Sequence, residues 1–134
     1  MPDSPPAAVA VLGASADRAK YGNKAVRAYR AAGFTVYPIH PHAASIEGLP
    51  AYASILDVPG PVQRATVYLP PEVTLQVLDA IARKGVRELF LNPGSESSEV
   101  IARAQELGLV PTLACSIVDI GRSPRDPEGT GARE

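Results

Sequence analysis

The sequence predicts an α/β domain built on a mainly parallel sheet. Three observations carry that expectation. Short apolar runs alternate with longer segments whose apolar residues recur at helical spacing. The first apolar run stops abruptly at Gly13, and a helical pattern opens just after a second glycine, Gly22. With 134 residues, the chain is long enough to bury one proper core.

In chain order, residues 9–12 form the first strand. A helix follows from about 23 to 32, with Ala25, Val26, Tyr29 and Ala32 on one face and Gly33 as its stop. Residues 34–39 are a second strand ended by His40-Pro41, and 64–69 a third ended by Pro70-Pro71. The next helix, 72–84, points Val73, Val77, Leu78 and Ile81 inward and closes at Gly85. A fourth strand, 88–91, ends at Asn92-Pro93-Gly94. Ser95 is the expected N-cap of a third helix through Leu107, with Glu96 and Glu99 placed as the helix dipole favours. Residues 109–113 form a fifth strand.

Short apolar strands joined by helices belong in a parallel sheet buried on both faces. Right-handed crossovers then give a single Rossmann-like domain of five strands with helices on both faces, and a strand order of 3-2-1-4-5 is expected. Residues 41–61 are too long for a plain connection. A short extra helical turn or edge strand is expected there, packing Ile46, Leu49, Tyr52 and Ile55. Residues 8–120 make up the domain. Residues 1–7 and 121–134, without apolar periodicity, are expected to be flexible ends.

Composition narrows the function. Thirteen basic against fourteen acidic residues leave a formal charge of −1, which gives no footprint for nucleic acid or an anionic membrane. No apolar run approaches the roughly 20 residues that span a bilayer, and the first residues do not read as a signal peptide. A cytoplasmic location is therefore expected. A single cysteine, Cys115, excludes an internal disulfide or a multi-cysteine zinc site.

Ligands of such sheets bind beyond the carboxyl ends of the strands. Four segments end there: Gly13-Ala14-Ser15, His40-Pro41, Leu69-Pro70-Pro71 and Asn92-Pro93-Gly94. A strand running into a glycine turn and a helix N-terminus collects backbone N–H groups for an anion. Lys20, Tyr21 and Asn23 stand where that helix begins, and Lys20 or Arg18 can face a phosphate. The dinucleotide fingerprint G-x-G-x-x-G fails at Ser15 and Arg18. The second strand, TVYPIHP, has no acid for ribose hydroxyls, and no arginine lies between Arg30 and Arg64 for a 2′-phosphate. A dinucleotide is thus the weaker candidate. His40 and His42 lack a third metal ligand, and no catalytic constellation is visible. Cys115 follows the last strand, either buried and inert or facing the same rim. Gly13→Val is expected to abolish binding and leave the fold largely intact.

The segments VAVLGAS, KYGN, GFTVYPIHP, IEGLPAYASILDVPGPV, YLPPEV and LNPGSESSEV, with the region around Cys115, occur in an informative order. Over about residues 8–120 the chain resembles the small stand-alone coenzyme A-binding proteins, which are similar to the amino-terminal domain of the succinyl-CoA synthetase alpha subunit. The resemblance implies coenzyme A or an acyl-CoA as ligand. Gly13, Ala14 and Ser15 would receive its phosphates with Lys20, Tyr21, Gly22 and Asn23 alongside. His40 and Pro41, which match an Asn-Pro pair, would lie near the adenosine. Leu69, Pro70, Pro71 and Val73 would lie against adenine and pantetheine, and Asn92, Pro93 and Gly94 match a Gln-Pro-Gly-type turn. The synthetase's phosphorylated histidine belongs to a further domain, so its ligase chemistry does not transfer. Non-catalytic binding is expected. The alternatives are a nucleotide-dependent enzyme (oxidoreductase or acyl transfer) using the same cleft, and a regulatory interaction protein.

Overall fold

The computed structural model describes residues 7–129, so most of the expected N-terminal end and residues 130–134 lie outside the described residues. The chain runs through β1 (Ala8–Leu12), α1 (Tyr21–Ala31), β2 (Thr35–Ile39), β3 (Ser45–Ile46) and β4 (Leu49–Pro50). After one turn of 3₁₀ helix (Ile55–Asp57) come β5 (Arg64–Val67), α2 (Pro71–Lys84), β6 (Glu88–Leu91), α3 (Ser98–Glu106), β7 (Pro111–Leu113) and α4 (Ser116–Asp119). Five strands make one parallel sheet, and β3 and β4 form a separate antiparallel hairpin.

The sheet order is β2-β1-β5-β6-β7, which is 2-1-3-4-5 for the five parallel strands and corrects the expected 3-2-1-4-5. Pro38 supplies the physical reason. Its carbonyl accepts the N–H of Tyr52 at 3.0 Å on the side away from β1. The missing proline N–H therefore lies on the side of β2 where no further strand of the sheet pairs, so it costs no bond of the sheet ladder. The expected order would have buried that strand inside the sheet. In the observed order the direction in which strands are added to the sheet reverses between β1 and β5, and that switch point is where this fold takes ligands.

Alternation along β1 sorts the core into two layers. Ala10 and Leu12 face Leu78 and Ile81 of α2 and Val100 and Ala104 of α3. Val9 and Val11 face Ala25, Val26 and Tyr29 of α1 and Ile117 of α4. Being wholly buried, β1 carries no polar residue (AVAVL), as a central parallel strand requires. In register, Leu12 lies opposite Ile39 and Val67, and Val67 lies opposite Leu91. The loops beginning at Gly13, His40, Tyr68 and Asn92 consequently leave the sheet at one level.

Smaller departures have local causes. The segment after Pro41 supplies the expected edge elements, with Ile46 and Ile55 buried. The N-cap of α3 is Ser97, whose hydroxyl accepts from the Val100 N–H; Ser95 instead donates its hydroxyl to the Val67 carbonyl. Helix α1 opens earlier than expected, at Tyr21, and the four-residue α4 is too short for an apolar period to announce it. Within the region read from composition as a flexible end, Arg122 donates to the carbonyls of Glu128 and Ala31, and Glu128 pairs with Arg27 at 3.3 Å. No helix among the described residues is long and apolar enough to cross a membrane.

Candidate functional site

The carboxyl ends of β1, β2, β5 and β6, with the N-termini of α1 and α2, enclose an open cleft of about 960 Å³. Thirteen of the residues expected at the site line it: Gly13, Ala14, Ser15, Lys20, Tyr21, Gly22, His40, Pro41, Leu69, Pro70, Val73, Pro93 and Gly94. Asn23, Pro71 and Asn92 do not. Sequence reasoning missed Leu12, Ala19, Ile39, Ala53, Tyr68, Gln76, Val77 and Ser95. Of these, Gln76 and Val77 had a signal, because they continue the face of α2 that begins with Val73.

Two glycines set the floor of the cleft. Gly13 has φ +93°, and a Cβ built there would lie 3.1 Å from the Tyr68 carbonyl carbon. At Gly22 a Cβ would overlap the carbonyl oxygen of Gly13 and come within 2.9 Å of its carbonyl carbon. The first turn of α1 thus rests directly on the loop that leaves β1, the close helix–strand approach for which such turns use glycine. The expectation that Gly13→Val spares the fold is thereby revised. A branched side chain would be strained by the positive φ and pressed against Tyr68, the residue after β5.

Helix α1 starts at its N-cap, Lys20, without a side-chain capping bond, and α2 starts likewise at Pro70. Among the described residues, nothing accepts from the Ala14 or Ser15 amides. Thr74, wholly buried, fixes the rim of α2 by donating its hydroxyl to the carbonyls of Leu69 and Pro70. At the end of β2 the His40 ring accepts two backbone N–H groups at Nδ1, from His42 and Ala43, each at 3.0 Å. This is the turn-closing role an asparagine oxygen commonly fills. In the neutral ring the remaining N–H is therefore at Nε2.

The two asparagines outside the cleft are buried hubs. Asn92 donates to Thr66 Oγ1 at 2.7 Å and to the Val67 carbonyl at 2.9 Å, and its oxygen accepts the Ser116 N–H at 2.8 Å. Ser116 Oγ lies 2.6 Å from Thr66 Oγ1 and 3.3 Å from the Tyr68 hydroxyl. Burial pushes the Tyr68 phenol well above its ordinary range, so the hydroxyl stays protonated at neutral pH. Asn23 joins the Ser15 carbonyl, Glu47 and Arg27. Both asparagines support loops of the cleft and face away from it.

Charge on the cleft is one-sided. No Asp or Glu is among its lining residues, and Lys20 contributes an ammonium with no protein partner among the described residues. Arg18, the other cation expected near a phosphate, is held by Glu47 at 2.7 Å. Cys115 is half-buried against the apolar layer beneath α1 and does not line the cleft. Apolar walls from Leu69, Pro70, Val73, Val77 and Pro93 meet the glycine loop across the switch point. Such a surface suits an anionic head with a long, weakly polar arm.

Comparison with known proteins agrees with this geometry. Residues 7–121 match the family model described as a CoA binding domain. The chain is 33% identical over 110 residues to an ADP-forming acetate–CoA ligase II from Archaeoglobus fulgidus, covering 76% of this chain and 16% of the ligase. It is also 33% identical over 89 residues to the alpha subunit of the Pyrococcus furiosus ADP-forming acetate–CoA ligase II, covering 64% of this chain and 19% of that subunit. It therefore spans less than a fifth of the length of either relative. Among solved structures, a conserved hypothetical protein from Pyrococcus furiosus superposes with a TM-score of 0.74 at 34% identity, covering 78% of this chain and 90% of that one. The dinucleotide-forming acetyl-coenzyme A synthetase 1 of Ca. Korarchaeum cryptofilum, in complex with phosphate and ADP, superposes with a TM-score of 0.72 at 32% identity, covering 82% and 26%. With the family model extending over nearly the whole described chain, the protein is a member of the CoA binding domain family.

Proposed function

We propose that this domain binds coenzyme A or an acyl-CoA in the switch-point cleft and catalyses no reaction on it. One observation carries this most directly: a glycine loop, an uncapped helix start and a lysine without an acidic partner among the described residues line a cleft that has no carboxylate among its lining residues. The ligand's pyrophosphate would sit on the loop from Gly13 to Ser15 with Lys20 beside it. The adenosine would lie towards His40 and Pro41, and the pantetheine arm would run along Leu69, Val73 and Val77. A ribose-binding acid, which a nicotinamide dinucleotide needs at the end of β2, has no counterpart there.

The polar groups of Tyr68, His40 and Ser95 that line the cleft are committed to bonds within the fold. Tyr68 is protonated and bonded to Ser116, His40 Nδ1 is occupied by two amides, and the Ser95 hydroxyl is spent on a carbonyl. None of these forms the nucleophile–base pair that acyl transfer requires. Native mass spectrometry of the purified protein, followed by calorimetry with coenzyme A, NAD and NADP, tests this reading. Retained coenzyme A or its acyl derivative, with tighter binding than either dinucleotide, is the expected result. Tighter binding of NAD, or turnover of an acyl-CoA by the isolated chain, overturns it.

A further inference from the structure

The hairpin between β3 and β4 turns at Glu47 and Gly48, both at positive φ (+52° and +77°). Two-residue hairpin turns of that geometry favour Asn, Asp or Gly at the first position, so a glutamate there is strained. Its carboxylate faces the loop that follows β1. It accepts both bonds from Arg18 Nη1, at 2.7 and 2.9 Å, and one from Asn23 Nδ2 at 3.0 Å. Asn23, fully buried, gives Nδ2 also to the Ser15 carbonyl at 2.9 Å and accepts from Arg27 Nε at 2.7 Å. Arg27 returns an N–H to the Arg18 carbonyl at 2.9 Å. Both flanks of the loop, at Ser15 and at Arg18, are thus gripped through one carboxylate on a distant hairpin.

We infer that Glu47 is a positioning residue for the anion-binding loop; the inference rests on the coenzyme A reading above. Pinning the Ser15 carbonyl fixes its peptide plane, and with it the direction of the next amide. Engaging Arg18 removes that cation from the ligand and leaves Lys20 as the loop's phosphate partner. A simple surface staple would need neither the buried Asn23 nor a glutamate at a strained turn position.

The test compares Glu47→Gly, which relieves the positive φ, with Glu47→Gln, which keeps an acceptor for Asn23 but loses the charge. Amide hydrogen exchange is followed at residues 14–20 in the unliganded protein, together with thermal unfolding and calorimetry with coenzyme A. Glu47→Gly should speed exchange in that loop with little change in Tm. It should weaken coenzyme A on the order of tenfold, as expected for losing a charge-assisted network. Glu47→Gln should loosen the loop and weaken coenzyme A less, and, because it keeps the positive φ while losing the charge, it should also lose a little stability. Adding Arg18→Ala to Glu47→Gly should cause little further loss, because both act through one contact. Unchanged loop exchange, or an Arg18→Ala effect that adds in full, overturns the inference. If the wild-type protein binds no coenzyme A, the functional reading fails on its own, and the exchange data still decide whether Glu47 holds the loop.

Discussion

The carbonyl oxygen of Gly13 occupies the place where a side chain on Gly22 would begin. The obstruction is backbone on both sides, so no rotamer change relieves it. Gly22→Ala must push the first turn of α1 away from the loop leaving β1. A loss of about 1–3 kcal/mol of stability is expected, as for overpacking a close-packed site. Coenzyme A affinity should fall with it. Gly13→Val should lower both quantities for the separate reason of its positive φ. Thermal unfolding and calorimetry on the two variants check this; a Gly22→Ala protein with wild-type stability would remove the close approach.

Asn92 was expected to contact ligand, and its burial makes a different prediction. Asn92→Ala leaves the Ser116 N–H without its acceptor in the interior. Stranding a buried donor costs about 1–3 kcal/mol. The variant should show a clearly lower Tm, while coenzyme A affinity measured well below that Tm changes little. A large loss of affinity with unchanged Tm would put Asn92 back at the ligand.

These two cases show where sequence reasoning stopped. The elements were legible because each strand is a short apolar run and each helix repeats its apolar face, as AVAVL and Leu78/Ile81 illustrate. The rim was legible because loops leaving parallel strands gather at one end. Whether an asparagine on that rim faces ligand or core depends on the partner across the fold. Ser116 and Thr66 for Asn92, and Glu47 for Asn23, lie 24 to 26 residues away in sequence. Tyr68 lies beside the Gly13 loop because the third parallel strand pairs with the first, whereas the expected order puts the second strand between them. Pro38, which cannot donate to a ladder on both sides, marks β2 as an edge strand.

Lys20 is predicted to supply the salt-sensitive part of binding. With Arg18 tied to Glu47, it is the ammonium left beside the loop. Lys20→Ala should weaken coenzyme A by about two- to fivefold, the worth of a solvent-screened ion pair. The wild-type affinity should decline as salt rises, and the variant's decline should be shallower. Calorimetry across a salt series measures both slopes. Equal slopes would assign phosphate binding to the backbone amides alone.

Acid should loosen the hairpin from the loop only below the ordinary carboxylate range. The hydrogen bond from Asn23, and after it the bond and charge of Arg18, hold the Glu47 carboxyl below its usual value against the opposing effect of its burial. A carboxyl depressed in the folded state contributes stability above its unfolded pKa of about 4.3 and loses it as pH falls through the lower, folded value. The cations around it are Arg18, Arg27 and Arg30. The stability gap between wild type and Glu47→Gln should therefore be constant from neutral pH down to about 5 and close in stronger acid. Glu128 shares Arg18 and Arg27, so Glu128→Gln serves as the control for the neighbouring carboxylate. Denaturant unfolding at a series of pH values gives the gap directly. A gap that stays open at the acid end would mean that the carboxylate charge does not hold the hairpin to the loop.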